Sequence, residues 1–401
     1  MSQQPQISEP PAGGPPPPNF IFVLRQMLGV SDKVSDLIFS PGRPPQIELA
    51  GNLRGVPIAG LERLTPAHTA GIAKLILGTQ QAAIESLEKT GSADLSFSLP
   101  GDCRFRVNIF KQRGTHAIVM RVIPMKPPQF SDFDLPPQLQ EIADIKNGIV
   151  LVTGPTGSGK STTLAAIIDL INETKHYHIV TIEDPIEFLH QHKNSTVHQR
   201  ELHSDTPNFA IALRAALRQA PKVILVGEMR DRETIEVALE AAETGHLVLS
   251  TLHTIDASKT VDRIIGVFPK NEEHVIRTRI AQSFRYIVSQ RLIPRGDGKG
   301  RVAAIEILKS TMRTREYIEK GEADGKSLLD AMEQGDQEGM QTFDGVIEQL
   351  IRKGVVSKEG AMPYATNANN LQLRLGELGG SPEPPRVPEK DEDSMLDLIE
   401  R

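Results

Sequence analysis

Of the 401 residues, a single one is cysteine, Cys103. A disulfide within the chain is therefore excluded, as is a zinc site of four cysteines. Cys103 reads as a small residue packed in a strand, and the composition fits a reducing cytosol. Basic excess is also lacking. The net charge is −6 and the pI near 6, so no global positive field marks nucleic acid as a partner. Aromatic residues make up only 4%, too few to suggest a base-stacking platform, and a DNA-handling role is set aside. The first twenty residues hold no Lys, no Arg and no apolar segment, which excludes a secretory signal there. No apolar run approaches the roughly 20 residues a spanning helix requires. The longest, GIVLV at 148–152, is strand-sized. The expectation is a soluble, cytoplasmic chain with no transmembrane segment, at most peripheral to a membrane.

What is present divides into regions. Residues 1–18 (MSQQPQISEPPAGGPPPP) cannot pack a core and read as a disordered, proline-rich tail. Residues 19–123 read as an α+β domain. It opens on the helix NFIFVLRQMLG and continues with one helix over 65–91, capped by Thr65, with Pro66 at its first position and closed by Gly91. DLSFSL, CRFRVNIFKQ and THAIVMRVIP then alternate apolar and polar residues like an antiparallel meander. Residues 124–137 carry five prolines and read as a stiff linker, able to serve as a hinge. From 138 to 310 strands and helices alternate, and the strands are unbroken Val/Ile/Leu runs, as in a parallel sheet covered on both faces. The stretch from 271 to about 366 reads as helix-rich, with a C-terminal helical region at 311–375. Residues 376–401 read as a disordered acidic tail.

The strongest signal is GPTGSGKS, between a predicted strand and a predicted helix. Its glycines let successive backbone N–H groups turn inward around phosphates, and the helix N-terminus adds positive potential. Gly154, Pro155, Thr156, Gly157, Ser158, Gly159, Lys160, Ser161 and Thr162 are thus the expected ATP-binding residues. Lys160 is placed for the β- and γ-phosphates, and the Ser161 hydroxyl for Mg2+. The second signal is an anomaly. Most nucleotide-hydrolysing folds end the strand corresponding to VILVGEMRD with a magnesium-holding Asp, yet this chain has Gly227 there and Glu228 next. Magnesium keeps several waters, so Ser161 and waters suffice if a carboxylate such as Glu228 stands behind them. Glu228 and Glu183, which ends the strand of TIEDPIEF, are the candidates to orient the attacking water. Strand ends in parallel sheets converge on the ligand crevice, which also recruits His253 of STLHT. The histidine spacing assembles no zinc triad.

Together GPTGSGKS, TIEDPIEF, VILVGEMRD and TGHLVLSTLHT resemble the Walker A, Asp box, atypical Walker B and His box of the secretion-superfamily ATPases. The likeness is to the type IV pilus retraction (PilT-like) group and spans roughly residues 20–375. The glycine of VILVGE matches that superfamily's own departure from ordinary Walker B sequences. The resemblance implies an α/β RecA-like P-loop motor domain with a smaller N-terminal α+β, PAS-like domain and a helical C-terminal region. It further implies a homohexamer that binds ATP at a subunit boundary and acts on an inner-membrane pilus platform protein, with a paralogous retraction ATPase as a further partner. Arginines of the first domain would then reach the γ-phosphate. Arg106 and Arg121 lead, with Arg104 and Arg113 beside them and Arg214, Arg218 and Arg230 in the motor domain. Two departures stand out: Ile38 replaces a common histidine, and MRTREYIEKGEADGK matches the AIRNLIRE-like signature poorly. The second leaves open a nucleotide-binding accessory subunit with little ATPase of its own. Pilus-extension and type II secretion ATPases typically carry a paired-cysteine zinc insertion, impossible with one cysteine. A conjugative traffic ATPase is disfavoured by the C-terminal helices.

Overall fold

In a computed structural model, residues 19–49, 51–123, 126–323 and 325–376 are described. The tail expected at 1–18, that expected at 376–401 apart from Gly376, and residues 124–125 of the expected linker lie outside them; Gly376 ends a helix. The chain divides into two units, one running to Lys126 and including Glu187–Leu189, the other comprising Pro127–Ile186 and the chain from His190.

In the first unit, helix α1 (Phe20–Leu28) is followed by strands β1 (Val34–Phe39), β2 (Gln46–Leu49) and β3 (Asn52–Gly55). Helices α2 (Pro66–Leu77) and α3 (Gln81–Thr90) precede the meander β4 (Ser92–Leu99), β5 (Cys103–Gln112) and β6 (Thr115–Ile123). The sheet order is β3-β2-β1-β6-β5-β4, every pair antiparallel. One face of the meander supplies Cys103, Phe105, Val107 and Ile109 to a core shared with the apolar stripe of α1, Phe20, Val23, Leu24 and Met27. The Thr65 cap and Pro66 are as expected, and Gly91 closes α3 in the left-handed conformation. The single helix expected over 65–91 is two, however. Gly78, at φ +51°, ends the first, because its backbone leaves the helical region there.

The second unit holds a seven-stranded sheet. Its strands and helices follow as β7 (Gly148–Thr153), α4 (Lys160–Thr174), β8 (His178–Glu183), β9 (Thr196–Glu201), α5 (Phe209–Ala216), β10 (Val223–Val226), α6 (Arg232–Glu243), β11 (Leu247–Leu252) and α7 (Ala257–Ile265). Next come α8 (Glu273–Ser283), β12 (Phe284–Pro294), β13 (Arg301–Lys309), α9 (Met312–Lys320), α10 (Leu328–Glu333), α11 (Phe343–Arg352), α12 (Lys358–Ala361) and α13 (Ala368–Gly376). The order is β13-β12-β7-β11-β10-β8-β9, parallel except for the β12–β13 hairpin. Successive strand side chains point to opposite faces. Ile149, Leu151, Ile224, Val226 and Val248 thus meet α5–α8 on one face. Val150, Val152, Val223, Leu225 and Leu249 meet α4 and the segment around Leu139 and Ile142 on the other. Both faces are buried, which is why these strands are mostly apolar, their buried Thr153, Ser250 and Thr251 lying towards the carboxyl ends.

The reading of 271 to about 366 as helix-rich is corrected by this sheet: 284–294 and 301–309 are strands. RGDGKG between them supplies the turn, and tertiary pairing with β7 overrides the weak helical pattern. Strand β9 was likewise not expected. Its sequence TVHQRE is mostly polar because it lies at the sheet edge.

Candidate nucleotide site

The phosphate loop links β7 to α4 through backbone that side chains could not share. A Cβ on Gly154, at φ +143°, would lie 2.5 Å from the Gln290 carbonyl oxygen and 2.6 Å from Ser158 Oγ. Gly159 caps α4 in the left-handed region at φ +91°. Lys160 is buried, and its ammonium donates to the carbonyl oxygens of Gly154 (3.0 Å) and Pro155 (3.1 Å). Ser161 and Thr162, both half-buried, lie in the first turn of α4, at the positive end of its dipole. Beneath them Gln290 Nε2 donates to Thr163 Oγ1 at 2.7 Å.

The strand order sets β11, β10 and β8 in succession beside β7, all parallel, so their carboxyl ends share one edge with the loop. After β10, the Gly227 N–H donates to the Ile182 carbonyl (2.8 Å) and its own carbonyl accepts from Thr251 Oγ1 (2.7 Å). A Cβ here would meet the Ile182 carbonyl oxygen at 3.3 Å and Glu183 Cα at 3.4 Å, so this close approach of β8 is what a glycine permits. Glu228 follows, largely buried, with one carboxylate oxygen paired to the Arg230 guanidinium and the other 3.6 Å from His253 Nε2. The paired carboxylate holds Arg230 above its ordinary range, with Asp184 adding to the effect. Asp231 then caps α6, accepting from the Thr234 N–H and hydroxyl, both at 2.8 Å.

Of the sequence-predicted residues, the structure brings Glu228, His253 and Arg230 into one cluster. Glu183 ends β8 on the same edge, but its carboxylate accepts from Thr181 Oγ1 (2.5 Å) and Gln199 Nε2 (3.1 Å), within its own part of the sheet. Arg106 and Arg121 belong to the first unit, where they sit opposite each other across β5 and β6. Arg121 Nε also donates to buried Asp36 at 3.1 Å, while none of the described ion pairs involves Arg106. Arg214 pairs with Glu233. Sequence reasoning missed Gln290, Arg291 and Glu306, all on the hairpin read as helical. The turn sequence RGDGKG between two β-branched runs was the available signal.

Residues 89–349 match the family model described as Type II/IV secretion system protein. The chain belongs to this family. Over 350 residues it is 44% identical to the Pseudomonas aeruginosa type IV pilus retraction ATPase PilT, covering 87% of this chain and 99% of that one. Identity to the P. aeruginosa type IV pilus ATPase PilU is 39%, over 85% and 87% of the two chains. A crystal structure of the pilus retraction motor PilT with bound ADP superposes with a TM-score of 0.78 at 40% identity, over 88% of this chain and 98% of that one. The Legionella pneumophila ATPase DotB superposes with a TM-score of 0.73 at 30% identity, over 89% and 96%. This secretion-family chain is thus a PilT-like ATPase with a P-loop motor unit. No helix among its described residues is long and apolar enough to cross a membrane.

Proposed function

We propose that this PilT-like ATPase is the hydrolytic motor of type IV pilus retraction and twitching motility, working as a cytoplasmic homohexamer peripheral to the inner membrane. Its target would be a membrane-embedded pilus platform protein. The carrying observation is the single sheet edge shared by the 154–161 loop, Glu228 and His253, in a chain that covers 99% of a retraction ATPase.

ATP would lie with its phosphates in the loop, the Lys160 ammonium exchanging loop carbonyls for β- and γ-phosphate oxygens. Glu228 is preferred over Glu183 as the group that orients water, because it stands in the cluster with His253 and Arg230, whereas the Glu183 carboxylate accepts from Thr181 and Gln199. His253 would hold the Glu228 carboxylate in place. Arg106 and Arg121 would bring positive charge to the terminal phosphate, their planar forks suiting phosphate oxygens. The donor set suits Mg2+: a hydroxyl at Ser161 and a carboxylate at Glu228 are hard oxygen ligands. When bound, the ion would supply charge neutralisation at the phosphates.

Phosphate release by the purified chain tests the reading. Lys160→Ala and Glu228→Ala are each expected to lower turnover by at least about a hundredfold. In cells lacking the gene, hyperpiliated and non-retracting surfaces are expected, whereas bald cells would overturn the assignment to retraction. The departure in MRTREYIEKGEADGK, residues 312–326, favours one second reading, a nucleotide-binding accessory subunit of a retraction motor with little ATPase of its own. Tight ATP binding without turnover would select it.

A further inference from the structure

The hairpin of β12 and β13 holds two ionisable side chains, Glu306 and Arg291, that the phosphate chemistry does not use. Glu306 on β13 is 1% exposed, and its carboxylate accepts the N–H of Ala257, the first residue of α7, at 2.9 Å. Opposite it on β12 is Ser289, whose hydroxyl accepts from Thr153 Oγ1 at 3.1 Å. Thr153 is the last residue of β7, directly before the phosphate loop. Two residues along β12, Arg291 Nη2 donates to the carbonyl of Ile255 at 3.3 Å. Its other terminal nitrogen donates to the Tyr364 carbonyl (2.5 Å) and Thr366 Oγ1 (3.2 Å). The guanidinium stacks on the ring of Phe343, the first residue of α11, at 3.7 Å. Buried Asp344 accepts the N–H groups of Thr366 (2.6 Å) and Asn367 (2.8 Å), which fixes the turn that Arg291 grips.

The segment 253–257 is therefore held from two sides. Its far end is anchored on Glu306 and its middle on Arg291. His253, at its near end, stands beside Glu228. Each side chain holds a different backbone group of this segment, so losing either frees part of it.

We propose that Arg291 and Glu306 are positioning residues through which the C-terminal region 343–367 sets the placement of His253 relative to Glu228. The proposal deepens the ATPase reading, since it assigns that site a connection to the C-terminal helices. The pair touches no phosphate. Its effect is on orientation, and misplacement of about an ångström by a distant change can cost on the order of a hundredfold in rate.

The test uses the full chain and measures kcat per bound nucleotide, the Kd for ATP and the melting temperature. Arg291→Lys keeps the charge but loses the planar fork whose one end reaches the Ile255 carbonyl while the other reaches the Tyr364 carbonyl and the Thr366 hydroxyl. It is expected to lower kcat by about ten- to a hundredfold, with the ATP Kd changed less than about threefold. Asp344→Asn lies at the far end of the connection and presents an amide N–H to one of the two N–H groups it should accept. It is expected to lower kcat in the same direction, and Glu306→Gln, which retains an acceptor for Ala257, to lower it least. If Arg291→Lys and Asp344→Asn both keep kcat per site within about twofold of wild type, the proposal is overturned, whatever happens to their melting temperatures. Should Arg291→Lys not fold, Asp344→Asn and Glu306→Gln decide on the same criterion. A wild-type chain that hydrolyses no ATP would instead overturn the ATPase reading, which keeps the two failures apart.

Discussion

Single residues show most directly what is local in the sequence and what is not. The loop 154–161 was legible because backbone, charge and hydroxyl chemistry all lie within eight consecutive positions. Cys103 was legible as packing: it is buried, and burial pushes its thiol up to about 11, away from any nucleophilic role. Glu306 was not legible, since nothing near it in sequence announces burial beneath α7. Desolvation raises its carboxyl from near 4.5 to about 7, with Asp256 pushing the same way and Arg291, Ser289 and the Ala257 N–H opposing. The folded chain thus keeps a proton that the unfolded chain releases. That contribution is complete below about pH 4.5 and is lost as pH rises through about 7. Melting temperatures between about pH 5 and 8 should therefore fall more steeply for wild type than for Glu306→Gln, whose amide does not titrate.

At the scale of elements, capping and periodicity carried the reading where an element's cause lies inside it. Thr65, read as a cap and found accepting the His68 N–H, exemplifies this, and Asp231 does the same for α6, satisfying the orphan N–H of Thr234 and meeting the helix dipole. Asp231→Ala should destabilise the chain by about 1 kcal/mol, readable as a lower urea midpoint at unchanged slope. Because Glu228 lies three residues upstream, turnover is expected to drop alongside stability. The hairpin of β12 and β13 shows the opposite case. FRYIVSQRLIP pairs with β7 on one side and β13 on the other, and those partners lie more than 130 residues back and a short turn ahead. Periodicity within one segment cannot reveal such a neighbour. The same limit hid the break at Gly78, where two amphipathic stretches abut without a proline to separate them.

For the whole molecule, each of the two units has a core of its own, one around Phe39 and Phe105, the other on the two faces of the parallel sheet. The expected partition into an α+β domain and an α/β motor rested on a change of rhythm near residue 147, and the sheets differ in the same way, antiparallel before and mostly parallel after. Calorimetry of the full chain should accordingly resolve two transitions. Saturating ATP should raise the one belonging to the second unit, by about 2.7 kcal/mol of stabilisation at a hundred times its Kd, because the loop lies wholly within that unit. A single transition that ATP leaves in place would contradict both the partition and the site.

The nearness of β8 to Gly227 also bears on what that position can hold. The Ile182 carbonyl lies 3.3 Å from the point a first side-chain carbon would occupy, so an aspartate placed there would need β8 to give way by a few tenths of an ångström. On the proposed reading, the task of a carboxylate at this strand end therefore falls to the residue one step further along the chain, Glu228.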